Sequence, residues 1–304
     1  LLPVIGKTDV ERRQMINALG PIWDGNEVWM ITAGGALFAS FPHVYATLFS
    51  GFYMALFLML AVLIMRGVAF EFRSKSPNRT WRKVFDYCIF IGSIIPALLW
   101  GVTVGNLIQG TPIDETMTYV GTFWDLLSPY TVLCGVAFIL VFTYHGGLFT
   151  SLKTAGPVSE RARAAALVTG VPTAIGVIAL IIASYVCTDL YNSTLAIVFC
   201  ALAVVCFLIS WGATRTRNTK WGFLFSSLSI ILITATYFAG LFPRIMVSSL
   251  NPAWSLTITN ASSSEYTLAL MTAVAAVFVP IVLAYQIWVY WIFRHRVTEK
   301  DLHY

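Results

Sequence analysis

The sequence predicts an all-α polytopic membrane protein, and three observations carry that prediction. Hydrophobic residues make up 58% of the 304-residue chain and charged residues only 11%, with a mean hydropathy of +0.77. Soluble domains hold about 25% charged residues, so this balance leaves too little polar surface to face water. The apolar residues gather into eight runs near the ~20 residues that a bilayer-spanning helix needs. The basic residues fall in alternate loops between those runs.

Taken in order, turn and charge signals divide the runs as follows. GPIWDGNEVWMITAGGALFASFP gives a first helix over Leu19–Phe41, with Gly20 and Pro21 as its start signal. A second run, Val44–Phe72, is closed by RSKSPNR. Trp81–Ile108 and Trp124–Leu152 flank the turn-rich GTPID segment. Arg161–Cys187 and Ser193–Thr214 follow, then Lys220–Phe242 after TRTRNTK, and finally Tyr266–Phe293 before RHR. The segment FASFPHVY after the first helix echoes FAGLFPRIM after the seventh, a hint of two related halves.

The loops orient these helices. Lys7, Arg12 and Arg13 precede the first; Arg73, Lys75, Arg79, Arg82 and Lys83 join the second to the third. Lys153, Arg161 and Arg163 follow the fourth, Arg215, Arg217 and Lys220 the sixth, and Arg294, Arg296 and Lys300 the eighth. The alternate loops hold acids and, of all the Lys and Arg, only Arg244. The positive-inside rule then places the basic loops and the C-terminus in the cytoplasm. The +5 net charge therefore reports topology and not nucleic-acid binding. LLPVIGK reads as the tail of an apolar segment, so a further helix is expected before Leu1.

Trp81, Trp211, Trp221 and Trp291 near inner ends, with Trp124 and Trp254 near outer ends, read as an aromatic belt. Cys88, Cys134, Cys187, Cys200 and Cys206 all lie in apolar runs without a CxxC pair and read as buried thiols. No P-loop, dinucleotide glycine pattern, HExxH or GxSxG element is present, so nucleotide use and hydrolysis have no support.

Chemistry points to the first helix. A carboxylate at the bilayer centre costs roughly 2.5–3.5 kcal/mol and less near an end, yet this helix carries Asp24 and Glu27, flanked by Trp23 and Asn26. Counting ~1.5 Å per residue, Asp24, Glu27, Arg66, Asp86 and His145 fall about 6–12 Å from the basic face, on four helices. Such a layer can admit protons, with Arg66 paired to one of the acids. Blander readings stand beside this one. Asp24 and Asp86 also suit a helix start. Arg66 can snorkel to headgroups beside Glu71. His145 suits a hydrogen bond between helices as well as a haem. His43, His295 and His303 fall in loops or the tail and read as solvated.

WDGNEVW, then RGVAFEFR, GTPID, YHGGLF with LKT, and NASSSEYTL with FVPIVLAYQIWVYWIF resemble, in order and over nearly the whole chain, subunit II of the cytochrome bd quinol oxidases. The resemblance implies two four-helix bundles plus a peripheral helix, with the family's first helix missing and eight helices here. The first bundle would cover 1–118 and the second 119–260, with the peripheral helix and cytoplasmic tail in 261–304. It also implies a heterodimer with a haem-bearing subunit I that holds haem b, haem d and the quinol site. Small accessory subunits and a structural quinone or lipid are compatible with it. The complex, in the bacterial cytoplasmic membrane, oxidises ubiquinol or menaquinol and reduces dioxygen to water. Asp24 would take protons in from the cytoplasm, with Glu27, Trp23 and Asn26 in the same block, while the isolated chain would be inactive. The alternatives are a proton-coupled secondary transporter using Asp24, Glu27 and Arg66, and a scaffold for its partner.

Overall fold

The computed structural model describes residues 1–302, which leaves His303 outside the described residues. Helix dominates: 79% of the chain is helical, and the only named strands among the described residues are two short paired ones. Two short helices, α1 (Leu2–Ile5) and α2 (Asp9–Leu19), lead into α3 (Trp23–Ser40). Then come α4 (Pro42–Gly51), α5 (Tyr53–Phe72), α6 (Arg79–Gln109), α7 (Pro129–Lys153) and α8 (Gly156–Cys187). The chain continues with α9 (Thr194–Arg215), α10 (Thr219–Leu241), strands β1 (Arg244–Met246) and β2 (Leu256–Thr257), and α11 (Glu265–Ile292).

Seven helices, α5 to α11, are long and apolar enough to cross a membrane. The expected eighth, at the start of the chain, does form, but α3 has only 18 residues and spends its first turns on Asp24, Asn26 and Glu27. It also begins later than expected, because Gly20 and Pro21 make a turn after α2 in place of a helix start. The expected second helix is broken at Phe52. Gly51 lies so close to Tyr119 that a Cβ would meet its ring at 2.6 Å, and Phe52 turns fully inward against Tyr119. α7 starts at Pro129 under a Ser128 cap, not at Trp124, which sits in a preceding 3-10 turn. The sequence echo does not become a structural one: Phe41-Pro42 feeds α4, whereas Phe242-Pro243 leads into β1.

α7 packs on α8 and α10, and α9 on α8 and α10, closing a ring of four. α5 packs on α6, and α6 on α7. The α6–α7 crossing is tight because Gly101 and Gly105 meet Cys134 and Gly135, where an added Cβ would sit 2.5–2.9 Å from its neighbours. Small residues four apart are how membrane helices approach closely. α11 stands apart, with no buried residue, and touches α3.

The loops sort to two ends as their charges predict. Arg12 reaches Asp86, Arg82 reaches Asp9 and Arg161 reaches Glu11, while Gln14 donates to the carbonyls of Ala155 and Val297. Basic loops and tail therefore share one end. At the other, Thr111 pairs with Ser248, Thr47 donates to the Met117 carbonyl, and Ser263 donates to Ala39 and Ser40 carbonyls. Arg244 sits there, paired with Asp189 at 2.7 Å. Trp211, four residues before the end of α9, packs over Gly170, donates to the Leu167 carbonyl at 3.3 Å and lies under Arg215. Cys187 departs from the buried-thiol expectation, being exposed at the end of α8, whereas Cys134 and Cys206 are buried.

Candidate functional site at the basic end

At ~100° per residue, α3 presents three faces. Trp23, Glu27 and Met30 turn toward α5 and α6. The Trp23 ring lies 5.4 Å from that of Phe70 and over Gly67, and Met30 packs with Met59, Leu63 and Leu99. Gly25 and Asn26 turn toward α11, where Asn26 Nδ2 donates to the Tyr290 hydroxyl at 3.1 Å. Asp24, Val28, Ile31 and Gly35 form a third, exposed face. Asp24 accepts from the Gly25 N–H at 2.7 Å and makes no ion pair among the described residues.

Glu27 and Arg66 are brought together as the depth argument predicts: Arg66 Nη2 donates to Glu27 Oε1, with both side chains about four-fifths buried. Ser93 on α6 stands 3.5 Å from Arg66 Nη1, and Arg66 Nε is buried with no acceptor among the described residues. Arg66 can lie here because Gly92 opposes it, where a Cβ would come within 2.7 Å of the Arg66 Cβ. Glu71 is exposed and takes no part in this contact, so the snorkelling reading of Arg66 is set aside.

The single layer expected from depth resolves into two. Asp86 is the eighth residue of α6 and 4% exposed, so it is not a first-turn acid. Arg73, at 1% exposure, grips it twice, Nε to Oδ1 at 2.6 Å and Nη2 to Oδ2 at 3.2 Å. Arg12 adds a third bond at 2.8 Å, and Asp9 joins Arg73 (3.1 Å) to Arg82 (2.7 Å). This cluster closes the base of the molecule, while Arg66, seven residues before Arg73, lies about 10 Å further in. Sequence reading missed it because its members come from three segments that only the fold joins. Ser93, Gln286 and Tyr290 were missed as well, although Gln286 and Tyr290 are polar residues four apart in an apolar helix.

His145 is not part of either layer. It lies on α7, its Nδ1 2.9 Å from Ser226 Oγ and its ring stacked at 4.7 Å on Phe223 of α10. The exposed positions of His43 and His295 agree with the solvated reading.

Residues 1–293 match the family model described as cytochrome bd terminal oxidase subunit II. The chain belongs to that family. Subunit 2 of the cytochrome bd ubiquinol oxidase of Bacillus subtilis is 39% identical, over 98% of this chain and 88% of the relative. Subunit 2 of the cytochrome bd-I ubiquinol oxidase of Escherichia coli K12 is 40% identical, over 98% and 88%. The solved bd oxidase of Geobacillus thermodenitrificans superposes with a TM-score of 0.72 at 16% identity, covering 95% of this chain and 88% of that one, a likeness of fold.

Cytochrome bd complexes contain haem, so the fit of this bd subunit II chain to a haem can be tested. Among the described residues the histidine supply for one is small. His145 is the one histidine within the seven long apolar helices; its Nδ1 is engaged by Ser226 and its face by Phe223, and no second histidine on those helices is there to complete a two-histidine clamp. No group of three or more His, Cys, Asp and Glu converges among the described residues.

Proposed function

We propose that this chain is the non-haem subunit of a quinol:oxygen oxidoreductase of the cytochrome bd type, and that its basic end is the proton inlet for reduction of dioxygen to water. Family membership supports the oxidase role. The observation that carries the inlet is the pair of acids at the start of α3, Glu27 held by Arg66 and Asp24 left open on an uncovered face. A buried guanidinium nitrogen without an acceptor costs about 1–3 kcal/mol unless something satisfies it, so Arg66 Nε favours water beside the pair. The basic end faces the cytoplasm by the positive-inside rule, which puts the C-terminus inside a bacterial cytoplasmic membrane. Protons drawn from that side for water, matched by protons that quinol releases outside, make the reaction electrogenic.

The haems b and d and the quinol site belong, on this reading, to subunit I, which completes a heterodimer and can be joined by small accessory subunits. The quinol is ubiquinol or menaquinol. α3, α4–α5 and α6 count as members of a first bundle in 1–118, α7 to α10 make the second in 119–260, and α11 with the tail in 261–304 is peripheral. α3 is counted as a membrane helix because the Glu27–Arg66 pair offsets its burial cost. An open apolar groove of about 620 Å³, lined by Ile182, Tyr185, Tyr191 and Cys200, is the place for a structural quinone or lipid tail.

Asp24→Asn in the assembled complex, with the haem spectrum as control, tests the inlet. Slowed oxygen consumption with intact haems is expected. Wild-type rates at every pH would reduce the chain to a scaffold, and loss of haem would make Asp24 structural.

A further inference from the structure

The terminal helix α11 brings two polar side chains to the same block of α3. The Tyr290 hydroxyl takes 3.1 Å from Asn26 Nδ2 and returns a longer contact of 3.4 Å to Asn26 Oδ1. One turn earlier, the Gln286 amide lies over Gly25, where a Cβ would come within 3.3 Å of Nε2. The glycine of WDGNE is thus what lets the amide approach the α3 backbone. Both side chains are spaced i,i+4 and so share one face of α11.

The rest of that helix holds α3 weakly. No α11 residue is buried, and at the other end of α3 the segment just before α11 is tied by Ser263, which donates to the Ala39 and Ser40 carbonyls. The rotation of α3 about its axis decides whether Glu27 meets Arg66 and whether Asp24 stays open, since a ~100° turn separates one face from the next. A bond to Asn26 grips the residue between those two acids.

We propose that Tyr290 and Gln286 are positioning residues of the proton inlet: they clamp the Gly25–Asn26 face of α3 and so hold Glu27 on Arg66 and Asp24 toward the aqueous side. The inference rests on the inlet reading above. The charged and titratable groups around the two acids are Arg66 from α5 and Tyr290 from α11. Ser93 is the polar contribution of α6, and Arg294 lies instead over the Trp291 ring at 4.3 Å.

The test uses the whole oxidase complex in proteoliposomes, with a soluble quinol, and follows oxygen consumption from pH 6 to pH 9. On the inlet reading, proton supply is the first step to limit turnover at the alkaline end. Tyr290→Phe is expected to slow the alkaline rate about threefold to tenfold, the range that one side-chain hydrogen bond sets, and Gln286→Leu, which changes only a packing contact over Gly25, to slow it in the same direction by less. At pH 6 the rates, the KM for quinol and the haem spectrum should match the wild type. Asn26→Val should give the same loss as Tyr290→Phe, and the double variant no more than either. If Tyr290→Phe loses haem, the same bond is read from Asn26→Val alone. Wild-type pH profiles, or a loss equal at all pH values, would overturn the positioning role. If Asp24→Asn slows turnover while Tyr290→Phe and Gln286→Leu do not, only this proposal fails; if Asp24→Asn is also silent, the inlet fails with it.

Discussion

Removing the Asp86 carboxylate should be the most damaging single change at the basic end. Arg73 is 1% exposed, and two of its three ion contacts are to Asp86. Truncating one partner of a buried ion pair costs about 3–5 kcal/mol, because the other charge is stranded. Asp9, at 3.1 Å and 36% exposed, still touches Arg73, so the lower figure applies. For Asp86→Ala about 3 kcal/mol translates, at roughly 2 °C per kcal/mol for a chain of this size, into a Tm lower by about 6 °C. Thermal unfolding of the purified complex in detergent, followed by loss of the haem spectrum and by aggregation, measures it. The double variant Arg73→Met with Asp86→Leu removes both charges and should recover to within about 1 kcal/mol of the wild type. A single variant that melts with the wild type, or a double variant that melts below the single one, would show that the pair is not the buried couple described.

On the proposed inlet reading, Glu27→Gln should slow turnover about a hundredfold, the low end of what a positioned proton-transferring carboxyl contributes, with Arg66→Leu giving a loss in the same direction; oxygen-electrode rates check both. Glu11 lies in α2, outside the spanning helices. Burial raises its pKa, but hydrogen bonds from the Thr8 and Lys7 N–H groups and from Arg161 together outweigh that and hold it below the usual carboxylate range. Its contribution is therefore full above an ordinary carboxyl pKa of about 4.5 and lost as pH falls through the depressed value. Glu11→Gln should accordingly narrow the fall in Tm between pH 5 and pH 3, read by the same melting assay. On the proposed placement of the haems in subunit I, His145→Leu should leave the haem content of the complex unchanged in a pyridine haemochrome assay, with only the Ser226 hydrogen bond and the Phe223 stack lost.

Most of the fold was legible because hydrophobic runs and charged loops are one-dimensional signals. The last three helices were placed within a residue of α9, α10 and α11 at each end. The failures have local causes. Phe52 breaks a run that is apolar on both sides, and only the contact of Gly51 with Tyr119, far away in sequence, explains it. Trp124 was assigned to a helix by hydropathy, although Ser128-Pro129 carries the stronger start signal. At the candidate site, depth counting found the Glu27–Arg66 pair but misplaced Asp86. Rise per residue says how deep a group lies and nothing about its azimuth or about loop residues such as Arg73 that fold back onto it.

Where the charges sit also weighs the inlet against a transport site. A transporter that couples ions to a substrate holds both near the midplane, where broken helices expose backbone groups. Here Asp24 and Glu27 occupy the second and fifth positions of α3, within about 6 Å of its start. The remainder of that helix, MITAGGALFAS, carries no charge. The broken helix of the first half is interrupted at Phe52, some 14 residues or about 21 Å of helix from Arg66. That break is filled by Val44, Ile113, Met246 and Leu256, which offer no ligand to an ion. Charge near one face costs less than the ~2.5–3.5 kcal/mol that each acid would cost at the centre, and on the proposed reading it suits a proton mouth better than a substrate site held midway. The arrangement therefore favours a mouth whose next station is on another polypeptide, along the uncovered face of α3 that Asp24 shares with Val28 and Ile31.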